Sequence, residues 1–383
     1  MDFKLTEDQE MFQRMVRDFA AKELEPVAAK IDEEERFPAE NIKKMAELGL
    51  FGVSIPEEYG GSGGDSIHFA IATEEISRVC ASTGAIYLVT AANGLAGFPI
   101  YHFGTEEQKK RFTVPLAKGE KIACFALTES GAGSDAAAID TTATYQNGSY
   151  ILNGTKLFIT NGAEADIIVT FATTDKSLGY RGIYAFIVEK DFPGFSVGKK
   201  EKKLGIRGSS TAELIFDNCR VPEENQLGEK GRGFRIAMEA IDKSRITIGA
   251  QAVGIARACL ETSLNYAKER RQFGRPIVDF QAIQWMLADM ATYIDAARLL
   301  VYRASFLIDQ GLPFIREAAM AKLFAAEMAM KVATQAIQIL GGYGYIKDYP
   351  VERYFRDAKI TEIYEGTSEM QRMTIIRDLL KGG

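Results

Sequence analysis

Residues 121–160, KIACFALTESGAGSDAAAIDTTATYQNGSYILNGTKLFIT, mark the point at which the hydrophobic pattern of the chain changes. Short runs rich in β-branched and aromatic residues alternate here with turn residues, a pattern typical of β-strands. Asn147-Gly148 has the preferred composition of a type I′ hairpin turn, and Asn153-Gly154 predicts a second tight turn. Similar runs continue as far as TAELIFDN, residues 211–218. The stretch therefore predicts an antiparallel β-barrel or sandwich of roughly 100 residues.

Helical patterns precede this β segment. Thr6 and Gln9 have the spacing of a capping box, and Pro38 suits the first turn of a further helix. Residues 79–105 contain no Asp, Glu, Lys or Arg, but Asn, Pro and Gly interrupt the run, which favours buried helix over a membrane span. We therefore expect residues 1–120 to form a helical domain without a membrane span.

The helical period returns after Gly233 in four long segments, near 234–271, 281–310, 314–340 and 350–381. Segments of this length and number predict an antiparallel bundle. The predicted fold class is therefore α+β and multidomain. It comprises an N-terminal α-helical domain (1–120), a middle antiparallel β-barrel domain (121–232) and a C-terminal four-helix bundle (233–383).

Composition argues against several functional classes. The chain of 383 residues has 46 Lys and Arg against 52 Asp and Glu, and this net charge of -6 disfavours nucleic-acid binding through phosphate neutralisation. His68 and His102 are the only histidines, so a histidine metal cluster or a His-activated nucleophile is disfavoured. The four cysteines are widely spaced, and MDFKLTEDQE does not resemble an export signal. We expect a cytoplasmic protein with reduced thiols and no metal.

Three glycine-containing segments are candidates for chemistry. Gly131–Ala136 matches GxGxxA, but strand and turn patterns follow it instead of the helix that a dinucleotide-binding fold requires. What remains is either a surface turn or a loop whose backbone can approach a flat or anionic ligand. QILGGYGY, residues 338–345, is an ordinary helix end unless another subunit's ligand contacts it.

The third segment is IYEGTSE, residues 363–369. A carboxylate in a dehydrated apolar pocket has a raised pKa and can act as a base at neutral pH. Spacing alone does not distinguish Glu365 from Glu362 or Glu369, and three solvated helix carboxylates are the simpler interpretation.

Together, these segments resemble the acyl-CoA dehydrogenase family along the whole chain. The segments occur in the family's order and spacing, and they are CFALTESGAGSD, KLFITNG, DKSR, ERRQFGRP with FQA, QILGGYGY and IYEGTSE. The resemblance implies a helical domain, a β-barrel domain and a helical bundle, with FAD as cofactor. It also implies a homotetramer built as a dimer of dimers, because Gln338 to Gly342 match a stretch that reaches the FAD of a neighbouring subunit.

The resemblance assigns further site residues by position. FAD-binding positions are matched by Phe125, Leu127, Thr128, Gly133, Ser134, Phe158, Ile159, Thr160, Arg270, Gln272, Phe273, Phe280, Gln281, Gln338, Ile339, Leu340, Gly341, Gly342, Thr367, Ser368 and Glu369. Acyl-CoA-binding positions are matched by Ser134, Asp242, Lys243, Ser244, Arg245 and Gly366. Phe158 is a departure, because many relatives have tryptophan there.

Glu365 matches the catalytic base of the family. Some relatives carry the base near DKSR, but the matching residue here is Ser244, which cannot act as one. The implied reaction is α,β-dehydrogenation, in which Glu365 removes the α-proton of an acyl-CoA thioester and hydride leaves the β-carbon for the flavin, giving a trans-2-enoyl-CoA. The electrons then pass to an electron-transfer flavoprotein, the implied protein partner.

Substrate size is predicted from the helix that matches the wall of the family's acyl pocket. Residues 86–95, IYLVTAANGL, offer no cation to a distal carboxylate, and Tyr87 shortens the pocket if its ring points inward rather than towards another helix. We therefore expect a short, branched or alicyclic monocarboxylic acyl-CoA. The alternatives are a medium-chain or dicarboxylic acyl-CoA dehydrogenase, a non-dehydrogenating flavin-binding relative, or an acyl-CoA oxidase, although oxidases are usually longer.

Overall fold

The N-terminal region of the computed structural model, which describes residues 4–382, is helical. Its α-helices are α1 (Glu7–Phe19), α2 (Glu25–Glu34), α3 (Ala39–Glu47), α4 (Ser66–Val79), α5 (Ala81–Thr90), α6 (Gly97–Phe103), α7 (Glu106–Gln108) and α8 (Val114–Ala117). The capping box that opens α1 is confirmed, because Gln9 N donates to Thr6 Oγ1 at 3.2 Å and Thr6 N donates to Gln9 Oε1 at 3.1 Å. No helix within residues 4–382 is long and apolar enough to cross a membrane.

A single twisted sheet follows the helices. Its strands are β1 (Ala123–Ala126), β2 (Thr142–Gln146), β3 (Ser149–Thr160), β4 (Ile167–Thr173), β5 (Ile183–Glu189), β6 (Phe195–Lys200), β7 (Thr211–Pro222) and β8 (Gln226–Leu227). The order is β6-β7-β3-β2-β4-β5-β8, with β1 on β4, and the pairings among the described strands leave the sheet open.

The predicted order of a helical, a β and a helical region is confirmed, and most strands of the sheet pair antiparallel. Two pairings differ from the antiparallel expectation, because β1 and β2 both run parallel to β4. Strand β1 pairs with the start of β4, and β2 meets its last residue, Thr173. The chain thus follows one edge of β4, leaves it through residues 127–141 and returns in the same direction. The loop after β1 therefore leaves the sheet and returns to it, and β4 pairs with the strands at both of its ends.

The two predicted turns of the β region have different outcomes. Asn147 (φ 48°) and Gly148 (φ 76°) join β2 to β3 as the expected hairpin turn. The prediction of a turn at Asn153-Gly154 is wrong, because both residues lie inside β3, where its register against β7 shifts. A Cβ on Gly154 would lie 2.4 Å from Thr141 Oγ1, so glycine allows a close approach there.

The C-terminal region is again helical, with α9 (Gly233–Glu269), α10 (Gln281–Asp309), α11 (Ile315–Leu340), α12 (Val351–Ala358) and α13 (Ser368–Leu380). A small hairpin of β9 (Arg271–Gln272) and β10 (Arg275–Pro276) connects α9 to α10. The fourth helix of the predicted bundle is not continuous. Glu365 (φ 53°) and Gly366 (φ 89°) adopt left-handed conformations between α12 and α13, and this backbone cannot continue a right-handed helix.

Helix α9 joins the three regions. Near its start, Ile236 and Ala240 pack in one apolar cluster with Leu95, Leu127 and the ring of Tyr364. Its later residues pack against α10 and α11 in a separate core. A helix of 37 residues is about 55 Å long, so its two ends face different surroundings.

Candidate active site

Glu365 lies on the left-handed turn that separates α12 from α13. Thr367 caps α13, its Oγ1 accepting from Met370 N at 3.4 Å, so the helix begins immediately after the turn. The carbonyl of Gly366 accepts from Gln371 Nε2 at 2.8 Å. The turn therefore projects Glu365 away from both helices, towards α9.

The Glu365 carboxylate is partly buried against α9, where its Oε2 accepts a hydrogen bond from Ser244 Oγ. Burial raises the pKa of Glu365 to about 7, although the Ser244 hydrogen bond and the charges of Lys322 and Arg245 oppose this rise. A carboxylate with this pKa is ionised in about half of the molecules at neutral pH and can accept a proton there. The residue chosen among the three glutamates is thus the one with the properties of a base.

The DKSR segment presents its side chains around this carboxylate. Arg245 is buried, and its Nη1 lies 2.7 Å from Asp242 Oδ1. Arg245 Nη1 is thus ion-paired, whereas Nε has no hydrogen-bond partner among the described residues and is a donor for an anionic or carbonyl ligand. Lys243 does not contact the Glu365 carboxylate, and its Nζ donates to Asn93 Oδ1.

A narrow cavity extends from Ser244 between α9 and the helical N-terminal region. Its lining is mostly apolar and consists of Ser66, Phe69, Asn93, Gly94, Leu95, Phe98, Ala240, Lys243, Ser244, Ile246, Thr247 and Ile308. Because Ser244 lines the cavity and bonds to Glu365, a ligand held there lies next to the carboxylate.

Tyr87 is not part of this cavity, and its assignment as a substrate contact is wrong. The ring is fully buried between Phe51 and Phe69, at centroid distances of 5.8 and 5.2 Å. Its hydroxyl donates to the Leu50 carbonyl at 3.1 Å. Tyr87 therefore belongs to the N-terminal core, because the face of α5 that carries Tyr87 is directed towards that core.

The cavity wall does contain a cation, contrary to the expectation from residues 86–95. Lys243 comes from α9, and its Nζ lies 4.7 Å from the ring centroid of Phe98. Burial lowers the pKa of Lys243 to about 7. The expectation considered one helix only, and the facing helix supplies a lysine. This lysine is only partly ionised at neutral pH and already donates to Asn93, so it is a weak partner for a distal carboxylate.

The loop from Thr128 to Ser134 is fixed by a buried ion pair beneath it. Lys156 Nζ lies 2.7 Å from Glu129 Oε1 and donates to the Leu127 carbonyl at 3.2 Å. The same Glu129 oxygen accepts from Thr141 Oγ1 at 2.6 Å, and Leu157 N donates to Thr128 O at 2.8 Å. The start of the loop is therefore held to β3, while the tip stays exposed.

We expect Lys156→Met to destabilise the protein by about 3 to 5 kcal/mol, because Glu129 would be left buried and charged without its partner. The measurement is the free energy of unfolding in urea. The control is the double variant Glu129→Gln with Lys156→Met, which removes both charges and should recover much of the loss. If Lys156→Met alone were as stable as the wild type, the Lys156–Glu129 ion pair would not be what holds the loop.

The loop tip has room for a flat ligand. No described atom lies within 4 Å of the Cβ position on Gly131 or Gly133. Beside it, Phe158 has a left-handed φ of 59° and an exposed ring, at 63%. A large residue keeps such a strained, exposed conformation where function requires it. Glycines without a Cβ and an exposed aromatic ring fit the approach of a planar ring system such as a flavin.

The residues with a predicted FAD role divide into two groups. Phe125, Leu127, Thr128, Gly133, Ser134, Phe158, Ile159 and Thr160 lie on β1, its loop and β3, whereas Thr367, Ser368 and Glu369 follow the base turn. The other group follows the ends of α9 and α11 and consists of Arg270, Gln272, Phe273, Phe280, Gln281, Gln338, Ile339, Leu340, Gly341 and Gly342. Arg270 caps α9 and lies 5.6 Å from the ring centroid of Tyr343, so the two helix ends meet.

A single chain cannot bring both groups to one ligand at the base. Ser244 and Arg270 are 26 residues apart on one helix, about 39 Å along its axis. Most of the second group is also exposed, Phe273 at 93%, while Ile339 and Leu340 are buried. The structure therefore separates residues that the resemblance assigns to one cofactor.

Two contributors to the site were missed from the sequence. Lys322 is fully buried behind the base turn, and Gln251 accepts a hydrogen bond from Tyr364, the neighbour of Glu365. The spacing of Lys322 on its helix is the same as that of a surface lysine. The one sign of burial in the sequence is the alanine-rich run around it, AAMAKLFAAEMAM.

Comparison with known proteins agrees with this geometry. Residues 6–120, 124–219 and 231–380 match the acyl-CoA dehydrogenase N-terminal, middle and C-terminal domains. The short-chain specific acyl-CoA dehydrogenase of Clostridium acetobutylicum is 54% identical over 98% of both chains. The acryloyl-CoA reductase (NADH) of Anaerotignum propionicum is 54% identical over 100% of this chain and 96% of its own.

A solved structure extends the comparison. A chain in the structure described as the electron transferring flavoprotein of Acidaminococcus fermentans superimposes with a TM-score of 0.98, at 52% identity and with full coverage of both chains. The chain studied here belongs to the acyl-CoA dehydrogenase family. It is a flavin-dependent oxidoreductase with FAD as cofactor, which agrees with the open loop tip and the exposed Phe158.

Proposed function

We propose that the chain catalyses the α,β-dehydrogenation of a short-chain monocarboxylic acyl-CoA, with Glu365 as the base. The observation that carries this proposal is the partly buried Glu365 carboxylate, whose pKa is about 7 and which accepts a hydrogen bond from Ser244, a residue that lines a small apolar cavity. The short-chain specificity of the Clostridium relative supports the substrate class. Branched and alicyclic acyl groups remain part of the proposal.

Different residues of the chain have different roles in the proposed reaction. FAD, when bound, supplies the hydride acceptor. Glu365 takes the α-proton, and Ser244 holds its carboxylate in place through the hydrogen bond to Oε2. Arg245, whose Nε has no hydrogen-bond partner among the described residues, contacts the polar part of the substrate. The apolar cavity wall excludes water from the acyl chain.

Lys243 and Asn93 set the length of the acyl pocket in this proposal. They form a hydrogen-bonded polar pair in the cavity wall, which Asn93 Nδ2 extends to Ser54 Oγ at 3.0 Å. A longer acyl chain would place methylene groups at the position of this pair. The pair would then lose its hydrogen bonds in an apolar environment, which costs free energy. A short chain ends before it.

We expect the wild-type protein to have a higher kcat/KM for butyryl-CoA than for octanoyl- or glutaryl-CoA. Lys243→Met removes the polar end of the pocket and should raise the ratio of octanoyl-CoA to butyryl-CoA activity on the order of tenfold. Lys243→Arg, which keeps the charge, is the matched control and should not raise it. Preference of the wild type for octanoyl- or glutaryl-CoA would refute the short-chain assignment.

The proposal extends to two partners. The exposed FAD-contact group at the far end of α9 supports a homotetramer built as a dimer of dimers, in which this group reaches the cofactor of the neighbouring subunit. The similarity to a chain described with an electron transferring flavoprotein supports transfer of the electrons to such a protein. Reduction of a purified electron-transfer flavoprotein by acyl-CoA and this protein tests the second partner.

A further inference from the structure

Lys322 lies in the middle of α11 and is fully buried, which is unusual for a lysine side chain. Its Nζ donates to the carbonyl of Gly366 at 2.7 Å. The same carbonyl accepts from Gln371 Nε2 at 2.8 Å. Two side chains from different helices therefore hold the peptide that follows Gly366, one residue after the base, and only one of these side chains is charged.

We propose that Lys322 is a positioning residue for the catalytic base, which fixes the base turn through Gly366 and places a buried cation beside the Glu365 carboxylate. The inference rests on the proposed role of Glu365. Burial of an ammonium group is costly unless the group is paired. Among residues 4–382 no carboxylate lies within ion-pair distance of Lys322 Nζ, so its charge acts on the turn rather than in a salt bridge.

The other charges near the base do not duplicate this one. From α9, Ser244 donates to the carboxylate and Arg245 faces it, but Arg245 is already paired with Asp242. Tyr364, on the same turn, is directed to Gln251. The remaining charges near Lys322 are Glu362, which pairs with Lys359, and Glu369, which is exposed.

The direction of the effect follows from the signs of the charges. A buried cation stabilises the ionised form of Glu365 and lowers the pKa of its carboxyl, while burial raises it. Without the cation, the pKa rises further and fewer molecules have an ionised base at neutral pH. The acid side of the pH profile should then move to higher pH.

The experiment measures kcat/KM against pH for FAD-loaded wild type, Lys322→Met, Lys322→Arg and Gln371→Met, with butyryl-CoA and an artificial acceptor. We expect Lys322→Met to move the acid midpoint upward on the order of one pH unit. Lys322→Arg keeps the charge and should keep the midpoint. Gln371→Met removes a neutral donor from the same carbonyl, so it lowers the rate without moving the midpoint. Lys322→Gln replaces the Met variant if that variant does not fold.

A second measurement follows the protonation of Glu365 directly, without catalytic turnover. The protonated carboxyl of Glu365 has an infrared C=O band, identified by its loss in Glu365→Gln, and its titration midpoint should move with Lys322→Met. An unmoved midpoint, or an equal shift in Gln371→Met, overturns the inference. Wild-type flavin reduction by Glu365→Gln would instead refute the proposed function, so the two failures are distinguishable.

Discussion

Glu365→Gln should reduce its flavin with acyl-CoA several orders of magnitude more slowly than the wild type. Glutamine keeps the shape of the side chain and can still accept from Ser244 Oγ, but it cannot take a proton. The measurement is the single-turnover bleaching of the flavin absorbance in a stopped-flow instrument. Acyl-CoA affinity and FAD content should stay close to the wild-type values, because no packing is lost.

The neighbouring glutamate provides a control for this prediction. Glu362→Gln changes a carboxylate three residues earlier in the chain, which pairs with Lys359 and has no predicted role at the site. Its flavin should be reduced at nearly the wild-type rate. If Glu365→Gln were as fast as Glu362→Gln, the base would have to be another residue.

Arg270→Glu should lose FAD from the neighbouring subunit and with it most of the activity. The substitution reverses a charge on an exposed residue at the far end of α9, where an anionic cofactor would meet repulsion instead of a donor. We expect at least a tenfold loss of FAD affinity, measured by equilibrium dialysis. Lys347→Glu, an exposed charge reversal following the same end of α11, is the control and should retain FAD.

Mixed assemblies make this prediction specific for a shared site. A subunit with Glu365→Gln and a subunit with Arg270→Glu are each inactive alone. In a mixed dimer, one site combines an intact Glu365 from one chain with an intact Arg270 from the other. Refolding or coexpression of the two variants should therefore restore about a quarter of the wild-type activity, as random pairing requires. No recovery in proven mixed dimers would mean that each chain builds its own site.

The sequence predicted the changes of secondary structure better than the contacts inside them. The strand pattern from residue 121 and the capping box at Thr6 depend on neighbours in the chain, and both occur in the structure. Asn153-Gly154 has the composition of a turn, but pairing with β7 on the other edge keeps it in the strand. Long-range pairing outweighs local preference here.

The same distinction explains the outcome at the site. The position of Glu365 was predicted from resemblance, whereas its raised pKa depends on burial against α9, which no local pattern contains. Tyr87 lies in the N-terminal core instead of the pocket wall, and Lys243 of the facing helix lines the cavity, because the orientation of a helix face is decided by its partners. Lys322 could not be recognised, since a buried lysine and a surface lysine have the same spacing on a helix.

The left-handed backbone at Glu365 has a consequence for the evolution of this protein. A glutamate with positive φ is less stable there than glycine would be, and a carboxylate with a raised pKa is a further cost to the folded state. Selection for stability alone would thus replace the residue on which the proposed chemistry depends. Stability and turnover make opposite demands on position 365, and mutational drift towards a more stable chain would yield a folded but inactive protein.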